Sequence, residues 1–272
     1  MEFEKWQGCG NDFVLIDRTG DASIDDLDVK LICDRHFGVG SDGLIVARLS
    51  KVADARMQMF NPDGSEAEMC GNGIRCFAKF LIERGLVDKK TIPIETGAGV
   101  LTVEIAGDDV IVDMGAPILE GDRIPVLGFD GRRIIDESIE IDGREFKMTC
   151  VSMGNPHCVV FVDKISGVDI KTIGPKFETN EKFPRRINTE FVEVIDRSTL
   201  RMRVWERGAG ITLACGTGAC ATAVAGVLSG RSDRRAKIIL DGGALELEWR
   251  ESDGHVMMKG AARKVFAGRL TM

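Results

Sequence analysis

Two segments of the chain have hydrophobic residues spaced as on one face of an α-helix. The first begins after Gly73 and ends near Gly85, and the second begins after Gly218 and ends near Gly230. Their apolar positions are Ile74, Phe77, Ala78 and Leu81 in the first and Ala221, Val224, Ala225 and Leu228 in the second. This spacing places the side chains on one helix face. The pattern therefore predicts two helices, each with a glycine just beyond its end.

Most of the other patterned segments resemble strands. Residues 95–104 and 241–248 alternate between apolar and polar positions after a glycine turn. Short runs rich in β-branched and aromatic residues occupy residues 13–16, 44–47, 158–162 and 191–194. Both patterns are typical of β-structure. They predict a β-rich α/β (α+β) protein with few helices.

The two helical segments belong to an internal duplication. At an offset of 145, residues 57–73 align with residues 202–218 without a gap, and Cys70 falls on Cys215. The same register pairs Gly85 with Gly230, Gly97 with Gly242 and Gly115 with Gly260. At an offset of 144, residues 10–14 fall on residues 154–158. We expect two pseudo-symmetric domains, 1–117 with 263–272 and 118–262, each wrapped around one central helix.

Composition limits the class of protein. The chain has 272 residues, 44% hydrophobic and 29% charged, which is enough to bury a substantial core. Its net charge is −7 and its Lys and Arg residues do not cluster, which argues against a nucleic-acid partner or an anionic membrane surface. Residues 1–6 lack the basic and apolar regions of a signal peptide, so a cytoplasmic location is expected.

The uncharged residues 208–230 are long enough to span a membrane, but their composition argues against it. The segment is rich in Gly, Ala, Thr and Cys, and large aliphatic side chains are few. It is better interpreted as a glycine turn followed by a buried helix.

Eight cysteines accompany only three histidines. A disulfide scaffold is a poor interpretation for a chain of this length without an export signal. No C-x-x-C motif is present, the histidines are scattered, and the cysteine spacings do not match a zinc site. We therefore expect no metal site.

Cys70 and Cys215 lie at matching helix starts, which suits acid/base chemistry. A helix N-terminus favours a thiolate, and its free N–H groups can hold a carboxylate. If the two helix starts faced one substrate, one thiolate could remove a proton from the carbon next to the carboxylate. The other thiol would then return a proton on the opposite face. Such chemistry inverts a stereocentre without a cofactor. The remaining cysteines are interpreted as small buried apolar residues: Cys9, Cys33, Cys76, Cys150, Cys158 and Cys220.

Four sequence blocks, in order along almost the whole chain, resemble the diaminopimelate epimerase family. They are residues 5–14 (KWQGCGNDFV), 61–76 (NPDGSEAEMCGNGIRC), 154–159 (GNPHCV) and 206–221 (ERGAGITLACGTGACA). The resemblance implies a cofactor-independent isomerase that interconverts LL- and meso-diaminopimelate, on the route to lysine and peptidoglycan precursors. It also implies two pseudo-symmetric α/β domains and makes a homodimer plausible.

Carried over position by position, the resemblance makes Cys70 and Cys215 the acid/base pair. It implies that the reacting carboxylate is held at the helix starts by Gly71, Asn72, Gly216 and Thr217. It implies that the substrate pocket is lined by Asn11, Asn61, Asn155, Asn188, Glu206 and Arg207. Glu206 suits the distal ammonium and Arg207 the distal carboxylate of diaminopimelate. Taken alone, each of the four Asn residues would be interpreted as turn chemistry and Glu206 with Arg207 as a solvated pair. His157 is a further candidate.

Three positions depart from the family pattern. Ile211 stands where Glu is common, Cys9 where Leu is usual, and Gly43 where some members have Gln. Ile211 raises the question of how the loop before Cys215 is held.

Three other functions are compatible with parts of the sequence. A proline racemase-like enzyme also uses two cysteines, but a small cyclic amino acid has no use for a distal pair such as Glu206 and Arg207. A redox protein could cycle Cys70 and Cys215 between dithiol and disulfide, although no thioredoxin-type motif supports this. A binding protein for diamino acids would not require both thiols.

Overall fold

The computed structural model describes residues 1–20 and 23–271. The chain divides into two compact units: Met1–Asp113 with Lys259–Met272, and Met114–Met258. The first unit is therefore made from both ends of the sequence, whereas the second is one continuous segment.

The described residues of the first unit form eight strands and two helices before the chain passes into the second. The strands are β1 (Glu2–Gly8), β2 (Asn11–Asp17), β3 (Gly43–Arg48), β4 (Ala55–Phe60), β5 (Glu66–Ala67), β6 (Thr91–Thr96), β7 (Gly99–Ala106) and β8 (Asp109–Asp113). The helices are α1 (Val29–Cys33) and α2 (Gly71–Glu83).

The second unit repeats this content. Its strands are β9 (Glu137–Ile141), β10 (Arg144–Ser152), β11 (Pro156–Phe161), β12 (Asn188–Asp196), β13 (Thr199–Glu206), β14 (Gly210–Ile211), β15 (Arg235–Leu240) and β16 (Gly243–Trp249). Its helices are α3 (Ile170–Glu178) and α4 (Gly216–Leu228), with a 3-10 turn at Ile165–Gly167. Two strands follow, β17 (Val256–Ala261) and β18 (Arg263–Arg269).

The strand pairings of the two units follow one scheme. In the first unit β2 runs parallel to β3, β3 antiparallel to β4, β4 parallel to β6, and β6 antiparallel to β7. In the second unit β11, β12, β13, β15 and β16 repeat these relations in the same order. The short strands β5 and β14 pair with β4 and β13 in the same way. The topology therefore has the pseudo-symmetry that the duplication predicts.

Each unit wraps its sheet around one helix. Helix α2 packs against β1, β2, β3, β7, β8 and β18, and α4 packs against β10, β11, β12, β13, β15 and β16. Both helices are 13 residues long and buried along most of their length. The long helices and the β-rich α/β class agree with the sequence prediction. Both end before a glycine with positive φ, Gly85 at 66° and Gly230 at 70°.

The central strands are buried on both faces. In β2, residues 13–16 are all buried because Val14 and Ile16 join a cluster with α1 while Phe13 lies beside the start of α2. In the second unit, Cys158, Val160 and Phe191 join a similar cluster. This arrangement explains the continuous apolar runs, which lack the alternation of a half-buried strand.

The sequence pattern indicates one helix in each half and does not predict α1 or α3. Helix α1 has only five residues and α3 contains Gly174 and Pro175, so neither has a long apolar repeat. Both begin at an Asp side chain that caps the helix, Asp28 for α1 and Asp169 for α3. Among the helices of residues 1–20 and 23–271, none has the length and apolar character needed to cross a membrane.

Candidate active site

Cys70 is the N-cap of α2. Its backbone is extended, with φ −139° and ψ 122°, and its Sγ accepts a hydrogen bond from the Gly73 N–H at 3.5 Å. A sulfur atom therefore occupies the position that a Ser or Asp oxygen usually fills. Because the cap residue lies at the positive end of the helix, negative charge on this sulfur is stabilised.

Two asparagines surround Cys70. Asn11, the first residue of β2, has its Oδ1 3.7 Å from the Cys70 Sγ, at hydrogen-bonding distance for a thiol donor. The same oxygen accepts a hydrogen bond from the Asn72 Nδ2 at 3.2 Å. Gly71 and Asn72 are buried in the first turn of α2. The first unit thus brings together four of the residues predicted for the site.

A charged network holds the other side of Asn11. Its Nδ2 donates to Asp42 at 2.7 Å, and Arg35 bridges Asp42 and Asp12 at 2.8 and 2.7 Å. Burial disfavours ionisation of Asp12, but hydrogen bonds from Arg35 and Lys5 outweigh it and lower its pKa to about 2. The Asn11 side chain is therefore fixed between a thiol and a carboxylate.

The hydrogen bonds described for Asn61 lie within a turn. Asn61 ends the β4 region in a tight turn, where its Nδ2 donates to the Ser65 Oγ at 3.0 Å. Its main-chain carbonyl accepts from Gly64. These contacts are the turn chemistry that was the alternative interpretation of this residue.

Cys215 is the N-cap of α4 and repeats the geometry of Cys70. Its Sγ accepts from the Gly218 N–H at 3.4 Å and lies 3.5 Å from the Thr217 Oγ1. Unlike Cys70, which is half-buried, Cys215 is buried. Burial, followed by the nearby charges of Glu206 and Glu190, raises the pKa of Cys215 well above 9. This environment favours the protonated form of the Cys215 thiol.

A buried polar chain extends from the start of α4. Asn155 donates to the Thr217 Oγ1 at 3.2 Å, and its Oδ1 lies 3.0 Å from the His157 Nε2. The other ring nitrogen of His157 is 2.7 Å from Glu190. His157 and Glu190 are both fully buried, so this pair is held in one arrangement.

Glu206 lies beside Cys215. Burial raises the pKa of Glu206, although hydrogen bonds from Thr212 and from the Cys215 thiol oppose this effect. Glu206 is the candidate ligand of the distal ammonium, and in the second unit its carboxylate also contacts the Cys215 thiol.

Asn188 and Arg207 meet at the end of the sheet. The Asn188 Nδ2 donates to the Pro156 carbonyl at 2.8 Å, and its Oδ1 accepts from the Arg207 N–H at 2.9 Å. The Arg207 side chain is exposed and donates to the Arg185 carbonyl at 3.0 Å. Asn188 thus holds the loop that presents Arg207.

The three departures from the family pattern have different surroundings. A Cβ at Gly43 would lie 2.8 Å from the Phe60 carbonyl, so this backbone leaves no room for a side chain there. Ile211 packs against the core of the second unit and pairs with Trp205, which shows how the loop before Cys215 is held. Cys9 has a φ of 54° in the turn between β1 and β2.

The other cysteines pack in the core or near it. Cys33, Cys76, Cys150, Cys158 and Cys220 are buried, and Cys9 is partly buried. Burial raises the pKa of Cys76 to about 12. In residues 1–20 and 23–271, no group of three His, Cys, Asp or Glu side chains is arranged to hold a metal ion.

The sequence pattern alone indicates no role for Arg75 or Glu190. Both are charged side chains that are fully buried. Glu190 lies beside the apolar residues Phe191 and Val192 on β12, where a charged side chain is seldom fully buried unless it is paired. Arg75 likewise interrupts the apolar pattern of α2.

Solved structures share this fold over the whole chain. A phenazine biosynthesis protein of the PhzF family from Bacillus anthracis superposes with a TM-score of 0.71 at 19% identity, covering 100% of this chain and 99% of that one. A hydroxyproline epimerase from Agrobacterium vitis gives a TM-score of 0.70 at 12% identity, covering 99% and 90%. The fold is therefore that of a group of two-unit α/β proteins that includes epimerases, and here each unit carries a cysteine at a helix start.

Sequence comparison identifies the family within this group. The profile described as Diaminopimelate epimerase matches residues 3–120 and 149–265. A diaminopimelate epimerase of Acetivibrio thermocellus is 52% identical over 278 residues, covering 100% of this chain and 99% of the relative. One from Methanococcus maripaludis is 50% identical over 276 residues, covering 99% of each. The chain belongs to the diaminopimelate epimerase family.

Proposed function

We propose that this chain is an isomerase that interconverts LL- and meso-diaminopimelate by two-thiol acid/base catalysis, in the biosynthesis of lysine and peptidoglycan precursors. The observation that carries the proposal is the pair of cysteine N-caps, Cys70 on α2 and Cys215 on α4, in a chain of this family. We further propose that the two units are the two catalytic domains, that the protein is cytoplasmic, and that it acts as a homodimer.

The reaction needs one base and one acid on opposite faces of the α-carbon. One thiolate takes the α-hydrogen as a proton, and the C–H electron pair stays on the carbon beside the carboxylate. The other thiol then delivers its proton to the opposite face, so that the two cysteines exchange protonation states in one turnover. The return reaction uses the same groups with their roles exchanged.

The helix starts supply the stabilisation that this carbanion requires. Gly71, Asn72, Gly216 and Thr217 lie in the first turns of α2 and α4, where main-chain N–H groups have no partner within the helix. A substrate carboxylate bound to such groups is stabilised as negative charge spreads onto it from the α-carbon.

Burial and the nearby charges of Glu206 and Glu190 raise the pKa of Cys215, which favours the protonated thiol at this position. We further propose that Glu206 takes the distal ammonium of diaminopimelate and Arg207 its distal carboxylate.

The test is hydrogen exchange at the α-carbon. Purified reduced protein is incubated with LL- or meso-diaminopimelate in D₂O, and α-deuterium incorporation and stereochemistry are followed by NMR and chiral chromatography. We expect the wild type to exchange and epimerise. We expect C70A and C215A each to lose epimerisation by at least about 1,000-fold, because each removes an obligatory proton carrier.

Matched controls separate the catalytic thiols from the other cysteines. C33A and C150A alter buried cysteines outside the proposed site and should keep epimerase activity. A wild type that neither exchanges nor epimerises, or a C70A or C215A variant with full activity, would contradict the proposal. Exchange of proline instead of diaminopimelate would favour the proline racemase-like alternative.

A further inference from the structure

Arg75 is a fully buried arginine in the second turn of α2. Its Nη1 donates to the Gly71 carbonyl at 3.0 Å, and its Nη2 donates to the Asn72 Oδ1 at 2.9 Å. Burying a guanidinium is costly unless its donors are used. Here Nη1 and Nη2 donate to Gly71 and Asn72 in the first turn of α2, immediately after Cys70.

The contact with Arg75 fixes the orientation of the Asn72 side-chain amide. Because Arg75 holds the Asn72 oxygen, the Asn72 Nδ2 faces the opposite way and donates to the Asn11 Oδ1 at 3.2 Å. That oxygen is the atom that lies 3.7 Å from the Cys70 Sγ. Two successive hydrogen bonds, from Arg75 to Asn72 and from Asn72 to Asn11, therefore connect the guanidinium to the amide oxygen beside the Cys70 thiol.

A second contact reaches Asn11 through the backbone. Strands β1 and β2 are joined by Cys9 and Gly10, with φ of 54° and 77°, and Gly8 pairs with Asn11 across this turn. Positive φ at both positions is typical of a two-residue type I′ hairpin turn. The Arg75 Nη2 lies 3.7 Å from the Cys9 Sγ, and a Cβ at Gly8 would be only 3.1 Å from it. The β1–β2 turn, which ends at Asn11, therefore packs directly against the Arg75 guanidinium.

We propose that Arg75 is a positioning residue for Cys70: it holds the Asn11 amide against the thiol, through Asn72 on one side and the β1–β2 turn on the other. This inference rests on the proposed role of Cys70 as an acid/base group. In the internal duplication Arg75 corresponds to Cys220. The Cys215 site is instead supported by His157 and Glu190, so the two thiols of one reaction are held by different chemistry.

The test is a double-mutant cycle with Asn11. R75M removes the guanidinium, and R75K keeps a positive charge without the planar fork that reaches several acceptors. We expect R75M and R75K to lower kcat/KM in the exchange assay by about 100-fold, as misplacement of a reacting group does. In an N11A background, R75M should change kcat/KM by less than about 3-fold, because the group that Arg75 positions is already gone.

A purely structural role gives a different result. R75M would then reduce activity by similar factors with and without Asn11, and this outcome, or full activity in both R75M and R75K, would overturn the proposal. K79M on the same helix is the control and should keep wild-type activity, since Lys79 contacts only the distant Gly107 carbonyl among the hydrogen bonds described. Thermal unfolding of each variant checks that it is folded.

The rate of Cys70 alkylation tests the Arg75 proposal independently of epimerase activity. Iodoacetamide modification of Cys70 is followed by peptide mass spectrometry, with Cys215 in the same sample as the reference. If Arg75 positions Asn11, R75M or R75K changes the Cys70 rate by about 5-fold or more only when Asn11 is present. This readout stands even if the wild type proves inactive on diaminopimelate, and an unchanged Cys70 rate would contradict the Arg75 proposal alone.

Discussion

Arg207 is proposed to bind the distal carboxylate of the substrate, and its contacts within the fold are few. Its side chain is exposed and makes one hydrogen bond to a main-chain carbonyl, while its N–H is held by Asn188. The fold therefore gains little from this guanidinium. The Arg207 backbone is held by Asn188 while its guanidinium is exposed, so the side chain is suited to binding a ligand. This supports the proposed contact with the distal carboxylate of the substrate.

We predict that R207A lowers kcat/KM for diaminopimelate by about 100-fold, because a charge-assisted pair with the substrate is lost. Stability should stay within about 0.5 kcal/mol of the wild type, as for other exposed substitutions. Steady-state kinetics and urea unfolding check both expectations. R185A is the matched control, since it leaves the Arg185 carbonyl in place. An unchanged kcat/KM in R207A would remove this residue from the distal site.

At the scale of the element, the two long helices start in the same way but tolerate different changes. In α2 a Cβ at Gly73 would meet the Cδ1 of Ile45 at 3.0 Å, the end of a flexible side chain. In α4 a Cβ at Gly218 would lie 2.6 Å from the Glu190 Oε1. Glu190 is buried and held by His157, so it cannot easily move away.

We therefore predict opposite outcomes for one substitution at equivalent positions. G73A should remain active and keep its stability, because a helix gain of up to about 1 kcal/mol offsets a small packing cost. G218A should lose about 1–3 kcal/mol of stability through overpacking and at least about 10-fold in kcat/KM. Thermal unfolding and the exchange assay measure these effects. Equal activity of the two variants would show that Glu190 does not need its present position.

The sequence predicts some elements well and others poorly for physical reasons. Helices α2 and α4 are long enough to show an apolar repeat and end at glycines, so their signals are strong. Helix α1 is too short for such a repeat, and α3 is interrupted by Gly174 and Pro175. The neighbours of Cys215 were only partly predictable, because Glu190 lies on a different strand and nothing local indicates that it pairs with His157.

At the scale of the whole molecule, buried cysteine thiols make the free energy of unfolding depend on pH. The pKa of Cys76 is raised by burial to about 12 from 9.0, and the pKa values of Cys158 and Cys215 are raised well above 9. At a pH between the pKa of a thiol in the unfolded chain and its raised pKa in the folded protein, the native state keeps a proton that the unfolded chain has lost. These three thiols therefore make the free energy of unfolding fall as the pH rises above about 9.

We predict that C76A weakens this pH dependence. The variant should be less stable than the wild type at pH 7, because it leaves a small cavity, but its free energy of unfolding should fall less steeply above pH 9. Urea unfolding across pH 7 to 11 measures the slope. I74V is the control, since it creates a small cavity on the same helix without removing a titratable group. A C76A slope equal to that of the wild type would contradict the assignment.

The division of the chain also sets an order for biosynthesis. The second unit is the single segment Met114–Met258, whereas the first needs Lys259–Met272 to supply β18, which pairs with β1. Domains generally fold as the ribosome delivers them, starting with the N-terminal one. Here the unit that contains Cys215 has its whole sequence first. The unit that contains Cys70 must wait, with the partner edge of β1 uncovered, until β18 has been translated.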